Sequence, residues 1–590
     1  MNSYVIDPTQ WGIVEGTDPV NATVNKDGFI KAIEYAKSEG YCKVTLPKGI
    51  YMINGVSNTT TSPEIGAGIR VPGNIEIEIT PDTTLKVAPN DSYGYTLFYV
   101  APNEKNVSFS GGGYLIGERY DHDYSFQGKD GNKKTHEWGY GIYFHGAHDG
   151  YVEKLKIMDF TGDGIFLGAK GLLNYTGSEY HHCYNIHIEK CFISNNRRNN
   201  ISVTAAEVVR IKDCIITKAG ADDGCAPRFG IDIEGYGEGS IDYEEIRDVL
   251  IEGCTFIGNI NASVSNFNGY GVRIVNNQAD HVINYGSGTD TLISNNTMVR
   301  TDGKNTAIQG DGVSSSQKCN NSLIIGNTIK GFNKGIDARG KGVNIIGNII
   351  DEMHESAVGI VAYYADNVTI SGNKVMNENG IAFLVDTSTN ISLIGNEAYN
   401  SSTRGLDIFR STDIRIKDFH SIGCYSGIRI RSSEVNFLNI LVDFNDIENQ
   451  SYGIDFDAES QVLFDNITVK KSKNLSILGV ATKYRLFMKD IKVLESKYIV
   501  PIQITGGMGH RFERIYITTN ISGGRGLNLV NTEKVLINDL QAYAATESAS
   551  MSAPLVSTSS KSTTLANSLY EGKPWMLEDD RQINNIPIAV

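Results

Sequence analysis

A short strand-like pattern recurs along most of this 590-residue chain. Each copy has a glycine or polar residue, then an aliphatic residue, then alternating apolar and polar residues, which is typical of a β-strand with one buried face. Examples are GYGIYFHG, GDGIFLG, FGIDIEG, KGIDARG and RGLDIFR. The first aliphatic residues are Ile142, Ile165, Ile201, Ile231, Val272, Ile308, Ile336, Val358 or Ile360, Ile381, Leu406, Ile428 and Ile454. Most steps are 21 to 30 residues, a period that indicates a solenoid.

A second strand motif follows these copies and places a cysteine, then an asparagine or aspartate, at a constant position. The column is Cys191, Cys214, Cys254, Asn296, Asn327, Asn348, Asn373, Asn396, Asp418, Asn439, Asn466 and Asp490. An asparagine at a tight bend bonds backbone groups of its own turn and stacks on the asparagine of the next coil. We expect the cysteines to be small buried residues of the same column.

Two or three short strands per period, asparagine at a bend and only 13 prolines predict an all-β fold, a single-stranded right-handed parallel β-helix. A propeller would need a longer period, and leucine-rich repeats would need helical segments. We predict that the β-helix spans residues 69–545. Residues 26–40 read as an amphipathic helix, within an N-terminal region 1–68 that caps the solenoid. Residues 546–590 are rich in Ser and Thr without a coil pattern, so they predict a tail or an oligomerisation segment.

The net charge of −15 argues against a nucleic-acid partner, because no general basic surface is available. No run approaches the roughly 18 apolar residues of a membrane span, so we expect no membrane partner. The start, MNSYVIDPTQWGI, shows no cleavable secretion signal. We therefore expect a virion-tail component, or a protein secreted without such a signal, that is cytoplasmic before lysis. Eight cysteines without a CxxC pair predict no metal site built from cysteine.

Two stretches resemble known β-helix proteins. The segment 11–55, with VTLPKGIYMI at 44–53, resembles the start of the pectate-lyase superfamily, whose members open with a helix and then such a strand. The segment 195–237, with ISV and then GIDIE, is similar to a block of right-handed β-helix proteins found in phage tailspikes and bacterial glycan-active enzymes. The resemblance implies the pectin-lyase-like fold. It leaves function open, since this fold hosts lyases, hydrolases, epimerases and receptor binders.

Two carboxylates lie two residues apart in RFGIDIEGYG, namely Asp232 and Glu234. Alternation in a strand predicts that both face outward, with side chains about 6 to 7 Å apart, while the isoleucines face the core. Such a pair suits glycosidic acid–base chemistry, because repulsion separates the two pKa values. Asp163, at the bend before its strand, and Asp223, in the loop before 228–234, complete the predicted catalytic set. The alternative is an ordinary solvated surface.

Basic and aromatic side chains are predicted on the same face and form the expected substrate-binding set. They are Arg198, Arg228, Arg273, Tyr143, His145 and Trp138. Insertions at 169–182, 235–247 and 275–290 fall on these coils, so we expect them to form the walls of a groove. Arginines would hold carboxylate or phosphate groups, and aromatic rings would stack on sugars.

Two functions from different classes remain. The first is an enzyme, a tailspike-like depolymerase of a polysaccharide or teichoic acid, in which Asp232 or Glu234 is the general acid and the other the base or nucleophile. Within it, a lyase would use Arg198 or Arg273 as base. We expect no cofactor, or Ca²⁺ if the protein is a lyase. The second is a non-catalytic glycan-binding or structural spike. Either fits a homo-oligomer, a trimer in phage spikes.

Overall fold

The computed structural model describes residues 2–56, 68–125, 135–237, 242–310, 320–354, 356–376, 379–480, 483–576 and 579–587. The chain divides into two compact units, residues 1–299 and residues 300–590. Each unit consists of parallel strands stacked in successive coils, which confirms the predicted all-β parallel solenoid.

The predicted N-terminal helix is present and longer than expected. A short helix, Pro8–Trp11, and a 3₁₀ turn, Pro19–Asn21, precede the helix Ala22–Ser38. Phe29, Ile33 and Ala36 of that helix are buried, as the apolar stripe predicts. No helix within the described part of the chain is long and apolar enough to cross a membrane.

Unit 1 contains three parallel sheets, and sheet A carries the candidate site. Sheet A consists of Ile69–Arg70, Gly94–Val100, Trp138–His145, Ile165–Gly168, Ile201–Val203, Phe229–Ile233, Ala262–Asn266 and Ile283–Gly286. Sheet B consists of Ser3–Val5, Lys43–Thr45, Ile75–Glu78, Lys105–Ser110, His148–Glu153, Cys183–Glu189, Ala206–Lys212, Ile246–Glu252, Arg273–Val275 and Leu292–Ser294. Sheet C consists of Gly49–Ile53, Thr83–Val87, Tyr114–Ile116, Lys156–Met158, Phe192–Ser194, Ile215–Thr217, Thr255–Ile257, Gln278–Ala279 and Thr297–Val299.

Unit 2 is built in the same way. Sheet D consists of Thr306–Gly310, Lys334–Lys341, Ala357–Ser371, Gly380–Asp386, Arg404–Phe409, Ile428–Arg431, Ile454–Phe456, Ile477–Val480, Ile502–Thr505, Gly524–Val530 and Met551–Thr558. Sheet E consists of Leu323–Ile325, Asn344–Ile346, the second half of Ala357–Ser371, Thr389–Ile394, Thr412–Ile422, Glu434–Asp443, Gln461–Lys470, Phe487–Ser496, Arg511–Thr519, Leu536–Ala544, Thr564–Ala566 and Arg581–Ile583. Shorter strands of sheet F are Thr328–Lys330, Ile349–Asp351, Lys374–Met376, Glu397–Tyr399, Leu569–Tyr570 and Ile586–Pro587.

The aliphatic residues of the repeat form a register row in the core, with two corrections. Ile142, Ile165, Ile201 and Ile231 are successive register partners and are fully buried. The next members are Val264 and Ile283, not Val272, which follows a turn before a strand of sheet B. In unit 2, Phe383 and not Ile381 is the partner of Ile360 and Leu406.

The predicted bend column is a hydrogen-bonded ladder up to Asn396. In unit 2 the backbone N–H of Asn327 donates to Oδ1 of Asn348 at 2.9 Å, and Asn348 to Asn373 likewise at 2.9 Å. Asn373 donates to Asn396 at 3.0 Å. The cysteine part is also buried, and the backbone N–H of Cys254 donates to Oδ1 of Asn277 at 2.8 Å.

Beyond Asn396 the column assignment is wrong. Asp418, Asn439, Asn466 and Asp490 have left-handed backbone angles, and the side-chain amides of Asn439 and Asn466 donate to the preceding member at the surface. The strands of 9 to 11 residues here run through the former bend, and the buried residues in register are apolar, such as Phe419 and Ile440. Asn and Asp remain at the surface position because they tolerate the left-handed conformation.

Strands continue beyond residue 545, where the sequence suggested a segment without coils. Met551–Thr558 pairs with Gly524–Val530, and Thr564–Ala566 pairs with Leu536–Ala544. Serine takes the place of asparagine in this ladder at Ser568, since the backbone N–H of Leu540 donates to Oγ of Ser568 at 3.0 Å, and that of Ser568 donates to Oδ1 of Asn585 at 2.9 Å. A role of residues 546–590 in oligomerisation stays a prediction.

Candidate active site

A row of side chains crosses sheet A at the position of Asp232. Register places Tyr99, Tyr143, Phe166, Ser202, Asp232, Ser265 and Asn284 in this row, which we call the Asp232 row. Alternation predicted an outward row, with an ordinary solvated surface as the alternative to a site. The structure covers its middle, because Tyr143, Ser202 and Asp232 are at most 3% exposed. The carboxyl group of Asp232 is therefore not part of an ordinary wet surface.

The two predicted residues Asp163 and Arg198 form an ion pair at the edge of this row. Arg198 Nη1 lies 2.9 Å from Asp163 Oδ2, and the backbone N–H of Asn199 donates to Asp163 Oδ1, also at 2.9 Å. Burial raises the pKa of Asp163, which Arg198 partly offsets. Burial disfavours the charge of Arg198, but Asp163 and then Asp232 outweigh it and raise its pKa. The guanidinium is consequently charged at any working pH.

Asp232 is held by a single hydrogen bond and titrates near neutrality. The amide Nδ2 of Asn199 donates to Asp232 Oδ2 at 2.9 Å, and Asp232 Oδ1 has no hydrogen-bond partner among the described residues. The pKa of Asp232 is raised to about 7, chiefly by burial. Arg198 opposes this rise, while the charges of Glu234 and Asp163 contribute to it. A carboxyl group with such a pKa can donate or accept a proton at neutral pH.

An aromatic pocket of about 330 Å³ opens beside the ion pair. Its walls include Trp138, Tyr140, Tyr143, Phe166, Thr204 and Tyr236, with Arg198, Thr96 and Glu244 as polar members. The rings of Tyr140 and Phe166 stack at 4.4 Å. Asp232 does not line the pocket, but Arg198 Nη1 contacts Ser202 Oγ at 3.4 Å, and Ser202 is the register partner of Asp232.

Glu244 is a site residue that the sequence reasoning missed. It lies in the 235–247 insertion, of which 238–241 fall outside the described residues, and its side chain lines the pocket. Burial raises the pKa of Glu244 to about 7, and a backbone N–H bond from Tyr236 only partly offsets this. The only sequence signal was the insertion itself, because a loop acid carries no periodic pattern.

Two buried polar atoms belong to residues of the pocket wall. Thr96 Oγ1 and Arg198 Nε make no hydrogen bond with any described residue. Arg198 Nε lies 3.6 Å from Glu137 Oε2, close enough for an ion pair but beyond hydrogen-bond range. Because both atoms are closed off from solvent, they lie behind the pocket wall and are not binding groups of the open pocket.

The predicted aromatic and histidine residues come together at this pocket. The Tyr143 and His145 rings stack at 5.0 Å, and the Tyr99 hydroxyl lies 2.8 Å from His145 Nδ1. Burial lowers the pKa of His145 to about 4, so its ring is neutral at pH 7. Trp138, which begins its strand, contributes a half-buried wall.

The other predicted site residues do not line the pocket. Glu234 is exposed, just past the strand Phe229–Ile233, so it does not share the burial of Asp232, although its charge raises the pKa of Asp232. Asp223 is exposed in the 219–228 turn, and Arg228 Nη2 donates to the carbonyl of Gly224 at 2.5 Å within that turn. Neither Asp223 nor Arg228 lines the pocket.

The predicted position of Arg273 beside Asp232 is wrong. Its strand, Arg273–Val275, pairs with Leu250 of sheet B, and Arg273 Nη2 lies 2.5 Å from Asp248 Oδ1. The true sheet A strand of that coil is Ala262–Asn266, whose sequence ASVSN lacks the glycine–aliphatic pattern. The next segment that matches the pattern is the one at Val272 and Arg273, and it belongs to sheet B.

Comparison with known proteins places these coils in a family. The model of the family described as "Right handed beta helix region" matches residues 104–241 and 307–469. The SPbeta prophage-derived uncharacterized protein YorA of Bacillus subtilis is 33% identical over 98% of this chain and 98% of its own length. The uncharacterized protein YclG of Bacillus subtilis is 40% identical over 64% of this chain, and the alignment spans 63% of YclG.

Among solved structures, a tailspike protein mutant of E. coli bacteriophage HK620 in complex with a pentasaccharide is similar, with a TM-score of 0.47 and 14% sequence identity. The alignment covers 78% of this chain and 80% of that one. The family model and the full-length relative agree with the stacked parallel coils of both units, and they supply the right-handed sense of the winding. The chain therefore belongs to the right-handed β-helix family.

Proposed function

We propose that the protein is a glycan-degrading enzyme, a depolymerase of a polysaccharide or teichoic acid that works by carboxyl acid–base catalysis in unit 1. The observation that carries the proposal is the aromatic pocket, which has Arg198 and a carboxyl group of pKa about 7, Glu244, among its lining residues. Aromatic walls stack on sugar rings, and Arg198 and Glu244 supply polar partners for sugar hydroxyls.

Glu244 and Asp232 are the proposed acid–base residues. Both have a pKa of about 7, so at neutral pH each is partly protonated and one can donate while the other accepts. The rise at Glu244 comes from burial.

The structure gives less support to a lyase. A lyase of the kind considered above needs a neutral arginine as base, yet Arg198 is paired with Asp163 and its pKa is raised. Arg273 is paired with Asp248 on another sheet. Binding of Ca²⁺, which would accompany a lyase mechanism, stays a prediction.

The test is release of new sugar ends from a panel of bacterial surface polysaccharides and teichoic acids. Wild type is compared with Asp232→Asn, Glu244→Gln and the control Glu252→Gln, whose carboxylate pairs with Lys212 on sheet B. We expect activity in wild type and the control, and at least a hundredfold loss in the other two. Unsaturated product seen by ultraviolet absorbance would mark a lyase. Normal activity of Glu244→Gln would refute its catalytic role.

A non-catalytic glycan-binding spike is the second candidate. It is favoured by the composition of the Asp232 row, in which Asp232 is flanked in register by Ser202 and Ser265 rather than by a second acid. Calorimetric binding of a glycan that no variant cleaves would establish this alternative.

We also propose that the protein acts in a phage tail, as a homotrimer. The full-length similarity to a prophage-derived protein supports the phage origin. Light scattering coupled to size-exclusion chromatography tests the trimer, and a mass near 64.5 kDa, that of one chain, would refute it.

A further inference from the structure

Unit 2 contains an arginine-lined pocket that the proposed catalytic site does not use. The pocket has a volume of about 250 Å³, and Arg404, Arg429 and Arg431 line it together with Tyr425 and Asp455. The three arginines come from two adjacent strands of sheet D, Arg404–Phe409 and Ile428–Arg431. Their side chains are 24 to 29% exposed, so each is partly desolvated yet open to the pocket.

Two carboxylates balance only part of this positive charge. Arg429 forms a bidentate ion pair with Asp407, through Nε at 2.9 Å and Nη2 at 2.7 Å. Arg431 Nη2 donates to Asp455 Oδ2 at 2.5 Å. Arg404 has one long contact, 3.3 Å from its Nη1 to Asp407 Oδ2. That carboxylate oxygen already accepts a hydrogen bond from Arg429. Three guanidinium groups against two carboxylates leave one positive charge in excess.

Arg404 also keeps unused donors. Its Nε and Nη2 make no hydrogen bond with any described residue, nor do Arg429 Nη1 and Arg431 Nε. Burial lowers the pKa of Arg404; Asp407 opposes this, while Arg429 and Arg431 lower it further. A half-buried guanidinium with free donors and like-charged neighbours is an electrostatic setting that a bound anion would relieve.

A second, polar pocket adjoins the first. It has a volume of about 560 Å³ and shares Ser402 and Tyr425 with the arginine pocket. Asn449 and Gln450 line it further along, and the Tyr425 ring between the two pockets is 42% exposed. An exposed tyrosine beside Asn449 suits a sugar or polyol, because the ring offers a stacking face and the asparagine amide bonds hydroxyls. The Gln450 amide donates to the carbonyls of Ile447 and Lys471 and accepts from the Lys473 N–H, so it shapes the wall of the pocket.

We infer that these two pockets form an anionic-glycan binding site in unit 2, in which the Arg404, Arg429 and Arg431 cluster holds one singly charged oxyanion group and Tyr425 packs against the neighbouring sugar or polyol. The shared chemistry is a monoanion with at least two oxygens, either the phosphodiester of a polyol phosphate or the carboxylate of a uronic acid. The single excess positive charge of the arginine cluster matches the single negative charge of such a group. The site is independent of catalysis in unit 1, and it would tether a long polymer.

The test is calorimetric titration of the full-length protein with three probes: a short glycerol-phosphate oligomer, an oligogalacturonate and a neutral maltooligosaccharide. The Asp232→Asn and Glu244→Gln double variant serves as the parent protein, so cleavage does not interfere. We expect one of the anionic oligomers, and not the neutral one, to bind. Which of them binds identifies the source of the oxyanion.

Arg404→Gln is the diagnostic variant, because Asp407 retains its bidentate partner Arg429 and the fold should persist. We expect Arg404→Gln to weaken anion binding at least about tenfold. Arg415→Gln, which removes an exposed arginine paired with Asp413, is the matched control and should bind as the parent does. Absence of binding by both anionic probes, or unchanged affinity in Arg404→Gln with a normal melting temperature, would overturn the inference.

Discussion

Replacing Asp232 by Asn should stabilise the protein at neutral and alkaline pH while abolishing activity. Burial raises the pKa of Asp232 to about 7 in the folded chain, compared with an ordinary aspartate value of 3.8. The folded state therefore binds a proton more tightly than the unfolded state. The resulting stabilisation is complete below pH 3.8 and is lost as pH rises through about 7.

The full loss corresponds to about 4 kcal/mol, at about 1.4 kcal/mol per pKa unit. About 2 kcal/mol of this falls between about pH 5.5 and about pH 8. The amide introduced by Asp232→Asn would not titrate, yet its oxygen would still accept the hydrogen bond from Asn199. The free energy of unfolding of Asp232→Asn should thus rise relative to wild type by about 2 kcal/mol over this pH range.

Differential scanning calorimetry across this pH range measures the effect. The relative melting temperature should rise by about 2 °C if all residues unfold together, and by about 3 °C if unit 1 unfolds alone. Two scan rates separate an equilibrium shift from a change in unfolding rate. Glu252→Gln is the control and should follow wild type. A difference between Asp232→Asn and wild type that does not vary with pH would refute the neutral-range titration of Asp232.

Three further perturbations test the site and the fold. Arg198→Met should destabilise unit 1 by about 3 to 5 kcal/mol, because it leaves the fully buried Asp163 without its ion-pair partner. The control Arg228→Met should change the free energy of unfolding by less than about 1 kcal/mol, and urea titration followed by circular dichroism compares the two variants. Asn348→Ala should lower the free energy of unfolding by about 3 kcal/mol in the same assay, since Asn348 accepts a hydrogen bond from Asn327 and donates one to the Ile324 carbonyl. A loss of stability no greater than that of the control Asn344→Ala would contradict the stabilising role of the ladder. If Glu244 is the general acid, the hydrolysis rate of wild type should fall about tenfold per pH unit above about pH 7, and a flat profile to pH 9 would assign the acid elsewhere.

The repeat was readable from sequence where one residue type marks one position. Ile142 to Ile231 and the ladder up to Asn396 were predicted, because each buried position accepts few alternatives. The prediction failed where small residues replace the marker, as in ASVSN at 262–266 and at Ser568, which takes the asparagine position beyond residue 545. There the backbone register persists although the side-chain pattern does not.

The site was only half visible in the sequence, for a different reason. Arg198, Asp163 and Asp232 lie on or beside strands whose register the repeat predicts. The burial of Asp232 depends on contacts such as that of Asn199, more than 30 residues away along the chain. Glu244 lies in an insertion, where no periodicity says which side chain turns inward.

The asparagine ladder of unit 2 allows whole coils to be added or removed, because every coil of the ladder presents the same position. Asn348 and Asn373 occupy equivalent places, each bonded to the next asparagine in the same way. If residues 349–373 were removed, Asn348 would take the place of Asn373 and bond to Asn396, so the ladder would re-form. If a single residue were removed, the asparagine of that coil would move out of register and its ladder bonds would break. Lengthening or shortening by whole coils is thus the change this chain tolerates best, and it would shift the arginine pocket relative to the first strand of unit 2 in steps of one strand spacing, about 4.8 Å.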